Sequence, residues 1–187
     1  MTQRFDILET DLAGLRVIKR QPLGDTRGYL QRLFCAEELT AAGWVGPVAQ
    51  INHTYTRRAG SVRGLHLQLP PFSEMKLISC MRGEVWDVAV DLRANSSTFL
   101  KWHAVHLSAE NKTSYLIPPG FAHGFQTLTD DVEMLYCHSQ VYTPSSEMGI
   151  NAWDKKLNVS WPMALTDISE KDKNWPMLDD SFQGINV

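Results

Sequence analysis

Two strand-like segments of this chain carry polar side chains that could move protons. In the segment 63–68, RGLHLQ, the alternation of a β-strand places His66 and Gln68 on one face and Leu65 and Leu67 on the other. A half-buried sheet face tolerates polar groups only where they meet a partner or a ligand. Because a histidine can accept a proton near neutral pH, His66 is either a candidate base or a histidine satisfied by structural hydrogen bonds at the rim of the core.

A catalytic histidine needs a carboxylate that holds its ring, and the chain offers Asp87, Asp91 and Asp172 as candidates. Asp172 closes the sequence Ser169-Glu170-Lys171-Asp172, which resembles the capping box of a short helix. A carboxylate at the third helical position can bond the backbone N–H groups of the first turn. On the residues alone, we favour capping over catalysis for Asp172.

The segment 132–142, VEMLYCHSQVY, places a tyrosine, a histidine, a glutamine and a second tyrosine on one strand face. The first of them, Tyr136, is either a packed aromatic whose hydroxyl bonds the backbone or a proton donor opposite a basic group. Two strands therefore each present an ionisable face, and these faces could line one cavity.

Short apolar runs between turn signals predict the strands that must position these residues. The predicted strands cover 48–56, 62–68, 76–82, 84–91, 99–108, 113–118, 123–129 and 132–142. This spacing favours an all-β fold, a double-sheet antiparallel jelly roll. Short helices are confined to the ends of the chain, at Ala36–Ala42 before Gly43 and after Ser169.

Length and composition indicate one folded domain, since 43% of the 187 residues are apolar. The net charge of −3 argues against a protein that binds nucleic acid through a basic face. No apolar stretch approaches the roughly 20 residues that span a bilayer, and the start lacks a secretory pattern, so we expect a cytoplasmic protein without membrane contact. Cys35, Cys80 and Cys137 lack paired spacing and are predicted to be buried, reduced thiols in strands.

Five motifs, taken in order along the chain, resemble the dTDP-4-dehydrorhamnose 3,5-epimerase family. They are Arg63-Gly64-Leu65-His66, Lys76-Leu77, GEVWDVAVDLR at 83–93, LSAENK at 107–112 and IPPGFAHGF at 117–125. The resemblance implies a cupin-type jelly roll over 1–187 that acts as a homodimer on a nucleotide-diphosphate sugar, with no cofactor and no metal. It also implies a dimer and substrate segment at 1–45 and a helical cap at 162–187.

Members of that family invert C3 and C5 of a dTDP-4-keto-6-deoxyhexose in dTDP-rhamnose and lipopolysaccharide O-antigen biosynthesis. The C4 ketone acidifies the neighbouring C–H groups, so a base can form an enolate and an acid on the other ring face can return a proton. The resemblance makes His66 the base, Tyr136 the acid and Lys76 the stabiliser of the enolate oxygen. It makes Asp172 the partner that orients His66, which reverses the preference for capping, although both roles are compatible.

The resemblance also implies a set of substrate-binding residues. It assigns Gln50, Asn52, Arg63 and Tyr142 to the sugar and diphosphate, Tyr29 to the nucleotide base, Arg27 to the site of the neighbouring subunit, and His123 to a place near the base with an open role. An arginine suits a diphosphate because its planar guanidinium donates hydrogen bonds in pairs.

Two positions depart from the family pattern and keep alternatives open. Leu30 and Arg32 stand in the segment where the family has aromatic residues and then a glutamate that accepts a hydrogen bond from thymine, which Arg32 cannot do. A related epimerase that uses another nucleotide or acts at one carbon therefore remains an alternative. A metal-dependent oxygenase is disfavoured because Gln68 replaces the second histidine of the cupin H-x-H pair. A catalytically inactive binding protein is disfavoured because every proton-handling position is filled.

Overall fold

The structure is a computed structural model that describes residues 3–187, and it is dominated by β-strands. The strands are β1 (Phe5–Glu9), β2 (Arg16–Arg20), β3 (Leu23–Asp25), β4 (Gly28–Leu30), β5 (Gln50–Thr56), β6 (Ser61–Gln68), β7 (Lys76–Arg82), β8 (Glu84–Asp91), β9 (Trp102–Ser108), β10 (Thr113–Ile117), β11 (Phe121–Thr127), β12 (Val132–His138), β13 (Glu147–Gly149) and β14 (Asp167–Ile168). The helices are α1 (Ala36–Thr40) and α2 (Glu170–Lys173), with a 3₁₀ turn at Pro144–Ser146.

The long strands form two sheets. The first has the order β1-β2-β10-β7-β12-β5, and the second has the order β13-β6-β11-β8-β9, with β14 added in parallel beside β6. The chain alternates between the sheets from β5 to β8 and again from β9 to β12, which is the path of a jelly roll. The predicted all-β jelly roll with short peripheral helices is therefore confirmed.

The eight predicted strands are present as β5 to β12, with shifted ends. β9 begins at Trp102 rather than at 99, because the preceding turn carries Leu100 at a φ of 62°. In the same turn the hydroxyls of Ser96 and Thr98 donate to the Asp91 carboxylate at 2.6 and 2.7 Å. β12 ends at His138, where the chain leaves the sheet for the 3₁₀ turn.

Apolar side chains fill the space between the sheets next to the polar cavity described below. Ile78, Tyr115, Phe125 and Met134 are almost fully buried in this cluster. The outer faces are covered as well: α1 and Trp44 pack on the first sheet, and apolar residues from 148 to 185 pack on the second. Both sheets are therefore fixed from two sides, which gives the cavity rigid walls.

All three cysteines are free. Cys80 in β7 and Cys137 in β12 are buried strand thiols as predicted. The prediction is wrong for Cys35, which precedes α1 and is half-buried, because the chain there caps a helix rather than entering a sheet. Among residues 3–187, no helix is long and apolar enough to cross a membrane.

Candidate active site

A polar cavity of about 360 Å³ lies where strands of the two sheets face each other. Its walls are formed by Asn52, Thr54, Arg63, His66, Leu67, Gln68, Glu74, Lys76, His123, Phe125, Tyr136, His138, Tyr142, Glu147, Ser169, Lys171 and Asp172. Most of the residues that the sequence marks as proton-handling groups therefore meet in one place, although they come from four strands, β6, β7, β11 and β12, and from α2.

His66 projects from β6 and is bonded to the first turn of α2. Its Nε2 lies 2.6 Å from Oδ1 of Asp172, whose side chain is 6% exposed. The other carboxylate oxygen accepts a long hydrogen bond from the Gly64 N–H at 3.4 Å. Ser169 is the N-cap of α2, since its Oγ accepts from the Asp172 N–H at 3.1 Å. The helix is therefore capped by Ser169, and the Asp172 carboxylate faces β6.

The charge state of Asp172 decides which ring nitrogen of His66 is basic. Burial favours a higher pKa for Asp172, but the hydrogen bond and charge of His66, with the Gly64 N–H, bring this pKa below its ordinary value. An ionised Asp172 accepts the Nε2 proton, so Nδ1 of His66 keeps the lone pair. This is the arrangement of a base whose orientation and tautomer are fixed by a carboxylate.

The indole ring of Trp175 packs against the imidazole ring of His66. Its ring lies edge-on to His66, with centroids 6.3 Å apart. Gly149 of β13 is paired directly with His66 of β6, and a Cβ atom at Gly149 would overlap the indole of Trp175. The missing side chain at Gly149 is therefore what lets the indole pack beside the His66 ring.

A second histidine–carboxylate pair lies on the neighbouring strands. His123 of β11 is 7% exposed, and its Nε2 lies 2.8 Å from Oδ1 of fully buried Asp87 on β8. Burial raises the pKa of Asp87, and the nearby charge of His123 only partly offsets this. Strands β6 and β11 approach closely at two glycines: a Cβ at Gly64 would lie 2.8 Å from the His123 carbonyl oxygen, and one at Gly124 would meet the chain at Arg63.

The first sheet supplies the facing wall. In the strand register, His138 of β12 lies beside Lys76 of β7, and Tyr136 lies beside Asn52 of β5. Lys76 is 9% exposed; its Nζ donates to the His66 carbonyl at 3.1 Å and lies 3.0 Å from Oε1 of Glu74. The cavity thus holds a lysine ammonium and a phenol opposite the His66 strand.

Burial sets the protonation of the two aromatic groups on this wall. Burial, with the charge of Asp87, raises the pKa of Tyr136 well above its ordinary value, so its hydroxyl keeps its proton at neutral pH. Burial, with the charge of Lys76, lowers the pKa of His138 to about 4, so this ring is neutral. Tyr136 can therefore donate a proton to a ligand in the cavity, and His138 adds no positive charge to the cavity wall.

The expected substrate-binding residues divide into two groups. Asn52, Arg63, His123 and Tyr142 line the cavity. Gln50 lies next to it, donating to Asn52 Oδ1 and accepting from the Tyr142 N–H, both at 2.9 Å.

Arg27 and Tyr29 lie elsewhere, on the exposed β3–β4 hairpin. The Arg27 side chain is 88% exposed and pairs with Asp25 at 2.6 Å. The hairpin borders its own shallow concavity and does not line the main cavity of the same chain. Arg32, the departure from the family pattern, forms an ion pair with Glu38 of α1.

Three charged residues of the wall are not predicted from the sequence: Glu74, Glu147 and Lys171. Lys171 Nζ lies 2.7 Å from the Glu147 carboxylate, which also accepts from the Tyr142 hydroxyl at 2.7 Å. The sequence feature that could have pointed to Glu74 is its position two residues before Lys76. Within residues 3–187, no three His, Cys, Asp or Glu side chains are arranged to hold a metal ion.

Fold and site together define a class: a jelly-roll protein whose internal cavity is built for acid–base chemistry on a bound ligand, with a carboxylate-held histidine facing a protonated tyrosine and a lysine. The family model of dTDP-4-dehydrorhamnose 3,5-epimerase matches residues 9–180, and the chain belongs to this family.

Relatives and solved structures agree with this membership. The chain is 40% identical over 171 residues to the dTDP-4-dehydrorhamnose 3,5-epimerase of Shigella flexneri, covering 91% of this chain and 94% of the relative. A Legionella pneumophila epimerase in complex with dTDP-4-keto-L-rhamnose superposes with a TM-score of 0.90 at 35% identity, covering 98% of each chain. A 3′-monoepimerase of Streptomyces bikiniensis in complex with dTDP-quinovose superposes with a TM-score of 0.83 at 33% identity, covering 90% of this chain and 85% of that one.

Proposed function

We propose that this protein is an isomerase that inverts C3 and C5 of dTDP-4-dehydro-6-deoxyglucose and forms dTDP-4-dehydrorhamnose. The observation that carries the proposal is the 2.6 Å contact of His66 with buried Asp172, at a cavity whose other wall presents Tyr136 and Lys76. The names of the family and of its curated relatives give the same reaction.

The placement of the groups on two sheets supports a mechanism for the inversion. A sugar ring between the sheets would present one face to His66 and the other to Tyr136. Nδ1 of His66 takes the proton from the carbon next to the ketone, and the electron pair of the C–H bond moves to O4 as an enolate. An N–H of Lys76 donates to that oxygen. Tyr136 then gives its hydroxyl proton to the opposite face of that carbon and regains one from solvent, while His66 releases to solvent the proton that it took. The same cycle at the other carbon next to the ketone inverts the second centre.

The binding of the nucleotide follows from the charges at the cavity rim. Arg63 lines the cavity with an exposed guanidinium suited to a diphosphate, and Asn52, Gln50 and Tyr142 form a polar wall beside it. We assign His123 to the sugar end, because its ring lies 6.2 Å from that of Tyr136.

A homodimer belongs to the same proposal. The β3–β4 hairpin carries Arg27 and Tyr29 on a protruding, exposed surface away from the cavity of its own chain. In a dimer this hairpin could reach the nucleotide in the neighbouring site. The cytoplasmic location stays a prediction from the sequence.

The decisive experiment is incubation with dTDP-4-keto-6-deoxyglucose in D2O, with deuterium at C3 and C5 followed by NMR. Deuterium at both carbons is the expected result, and His66→Ala should abolish it at both. Exchange at C3 alone would make the protein a monoepimerase like the Streptomyces bikiniensis structural relative, which shares this fold. No exchange would contradict the proposal.

The nucleotide needs its own test, because Arg32 cannot accept a hydrogen bond from thymine. We expect dTDP to bind more tightly than CDP, GDP or UDP, as measured by calorimetry. Because Arg32 is engaged with Glu38, its guanidinium is held by α1 in the free chain. Equal affinity for all four diphosphates, or preference for another base, would move the substrate assignment away from dTDP.

A further inference from the structure

We infer that Glu74 is a positioning residue for Lys76, and that it fixes both the direction and the charge of the ammonium group that meets O4 of the sugar. The inference rests on the function proposed above. Glu74 lies just before β7, its side chain is 5% exposed, and it forms part of the cavity wall. Neither the family resemblance nor the spacing of the motifs assigns it a role.

Lys76 has more N–H donors than its contacts within the protein use. A lysine ammonium has three N–H donors. One is donated to the His66 carbonyl at 3.1 Å, and the ammonium also forms an ion pair with Glu74, with Nζ 3.0 Å from Oε1. The hydrogen bond and the ion pair hold the ammonium between β6 and the segment before β7. N–H donors therefore remain for a ligand in the cavity.

The Glu74 carboxylate has no structural task of its own. Among residues 3–187, its only polar contact is the ion pair with Lys76, and Oε2 is buried without a hydrogen-bond partner. Asp91 shows what a structural carboxylate looks like in this fold, since its oxygens accept from Arg93, Ser96 and Thr98 in one turn. A buried carboxylate that serves a single cation is costly for folding and is typical of functional sites.

Glu74 places a negative charge next to the buried ammonium of Lys76. A buried ammonium without a counterion is disfavoured relative to the neutral amine, and an adjacent carboxylate reverses this. The other ionisable groups that line this cavity are Arg63, His66, His123, Tyr136, His138, Tyr142, Glu147, Lys171 and Asp172, and Asp87 lies next to His123. Each of the other carboxylates already has a partner, since Asp172 contacts His66, Glu147 contacts Lys171 and Asp87 contacts His123. Glu74 is therefore the carboxylate that serves as the counterion of Lys76.

Two variants of Glu74 distinguish its effect on the position of the Lys76 ammonium from its effect on the charge of that group. Glu74→Gln keeps an oxygen that can accept from Lys76 but removes the charge, so we expect the plateau kcat to stay within about 3-fold of the original. In the pH profile of kcat/KM for this variant, the alkaline limb should lie at least one pH unit lower, because the Lys76 ammonium loses its proton more easily without the neighbouring negative charge. Glu74→Ala removes the anchor as well, and its plateau kcat should fall at least about 10-fold. Glu133→Gln, a matched change at a carboxylate outside the cavity, should alter neither quantity.

A measurement without substrate keeps this inference separate from the proposed reaction. In protein labelled with [13Cε]lysine, the Lys76 resonance, assigned with Lys76→Arg, should titrate at least one pH unit lower in Glu74→Gln than in the original protein. If the Gln variant does not fold, Glu74→Asp takes its place. Aspartate keeps the negative charge but has a shorter side chain, so this variant should lower the plateau kcat. An unshifted Lys76 titration, or an alanine variant with the original plateau kcat, would overturn the inference. Absence of deuterium exchange in the original protein would instead overturn the reaction.

Discussion

His66 and His123 occupy directly opposed positions on the antiparallel strands β6 and β11, and the Nε2 of each is held by a different buried carboxylate. The two pairs differ in exposure and in the direction in which the carboxylate pKa is shifted. His66 is 30% exposed in the cavity and His123 is 7% exposed. The pKa of Asp172 is lowered, whereas burial raises that of Asp87. The more accessible ring, whose carboxylate partner has the lowered pKa, is the one suited to take a proton from a substrate, which supports the proposal that His66 is the base.

Replacing Asp172 by Asn should separate its orienting role from helix capping. The amide cannot stabilise a protonated His66 or fix its tautomer, so we expect deuterium exchange into the sugar to slow by about 10²- to 10³-fold. Ser169→Ala removes the N-cap of α2 and leaves the carboxylate, so it should lower stability by about 1 kcal/mol with little change in kcat. Similar rates for both variants, measured by NMR in D2O, would contradict the orienting role.

Replacing Tyr136 by Phe should uncouple proton removal from inversion. His66 can still take a proton and return one to the same face, so deuterium should enter the sugar with retained configuration. Formation of the inverted product should fall by about 10²-fold or more, because the opposite face lacks its donor. The measurement is the ratio of deuterium uptake to epimer formed. Equal loss of both would mean that Tyr136 acts in binding or in the first proton transfer.

His138 should make the stability of the protein depend on pH. Because burial lowers its folded-state pKa to about 4 from an ordinary value of 6.5, the unfolded chain binds the proton more readily between these values. Stability is then fully present above about pH 6.5 and is lost as the pH falls toward 4, by at most about 3 kcal/mol. Urea unfolding of His138→Gln should show a flatter profile over this range. His106→Gln, at an exposed histidine paired with Glu84, is the control.

The strands were predictable where apolar alternation is bounded by turn residues, as in β5 to β12. β1 and β2 were not predicted, because FDILE and RVIKR are five residues long, carry charged residues and alternate weakly. β13 and β14 have only three and two residues, and their pairing with β6 depends on tertiary contacts. Such short elements leave no period in the sequence to detect.

For the site, strand parity correctly grouped Tyr136 with His138, and both line the cavity. Strand alternation could not identify which of the three candidate carboxylates, Asp87, Asp91 or Asp172, contacts His66. That contact depends on where α2 packs and on the register of β8 against β11. In the structure, Asp172 contacts His66, Asp87 contacts His123, and Asp91 accepts hydrogen bonds within a surface turn. Glu74 escaped notice because it precedes its strand, where no alternation marks its direction.

Gly149 should be intolerant of any side chain, because Trp175 occupies the space next to it and next to His66. In Gly149→Ala the added methyl group must displace the indole, which we expect to cost about 1–3 kcal/mol of unfolding free energy and to slow deuterium exchange by loosening the His66 ring. Trp175→Ala alone leaves a cavity and should also be destabilising. The double variant removes the overlap, so its loss of stability in urea unfolding should be smaller than the sum of the two single losses. Additive losses would show that Gly149 and Trp175 act independently.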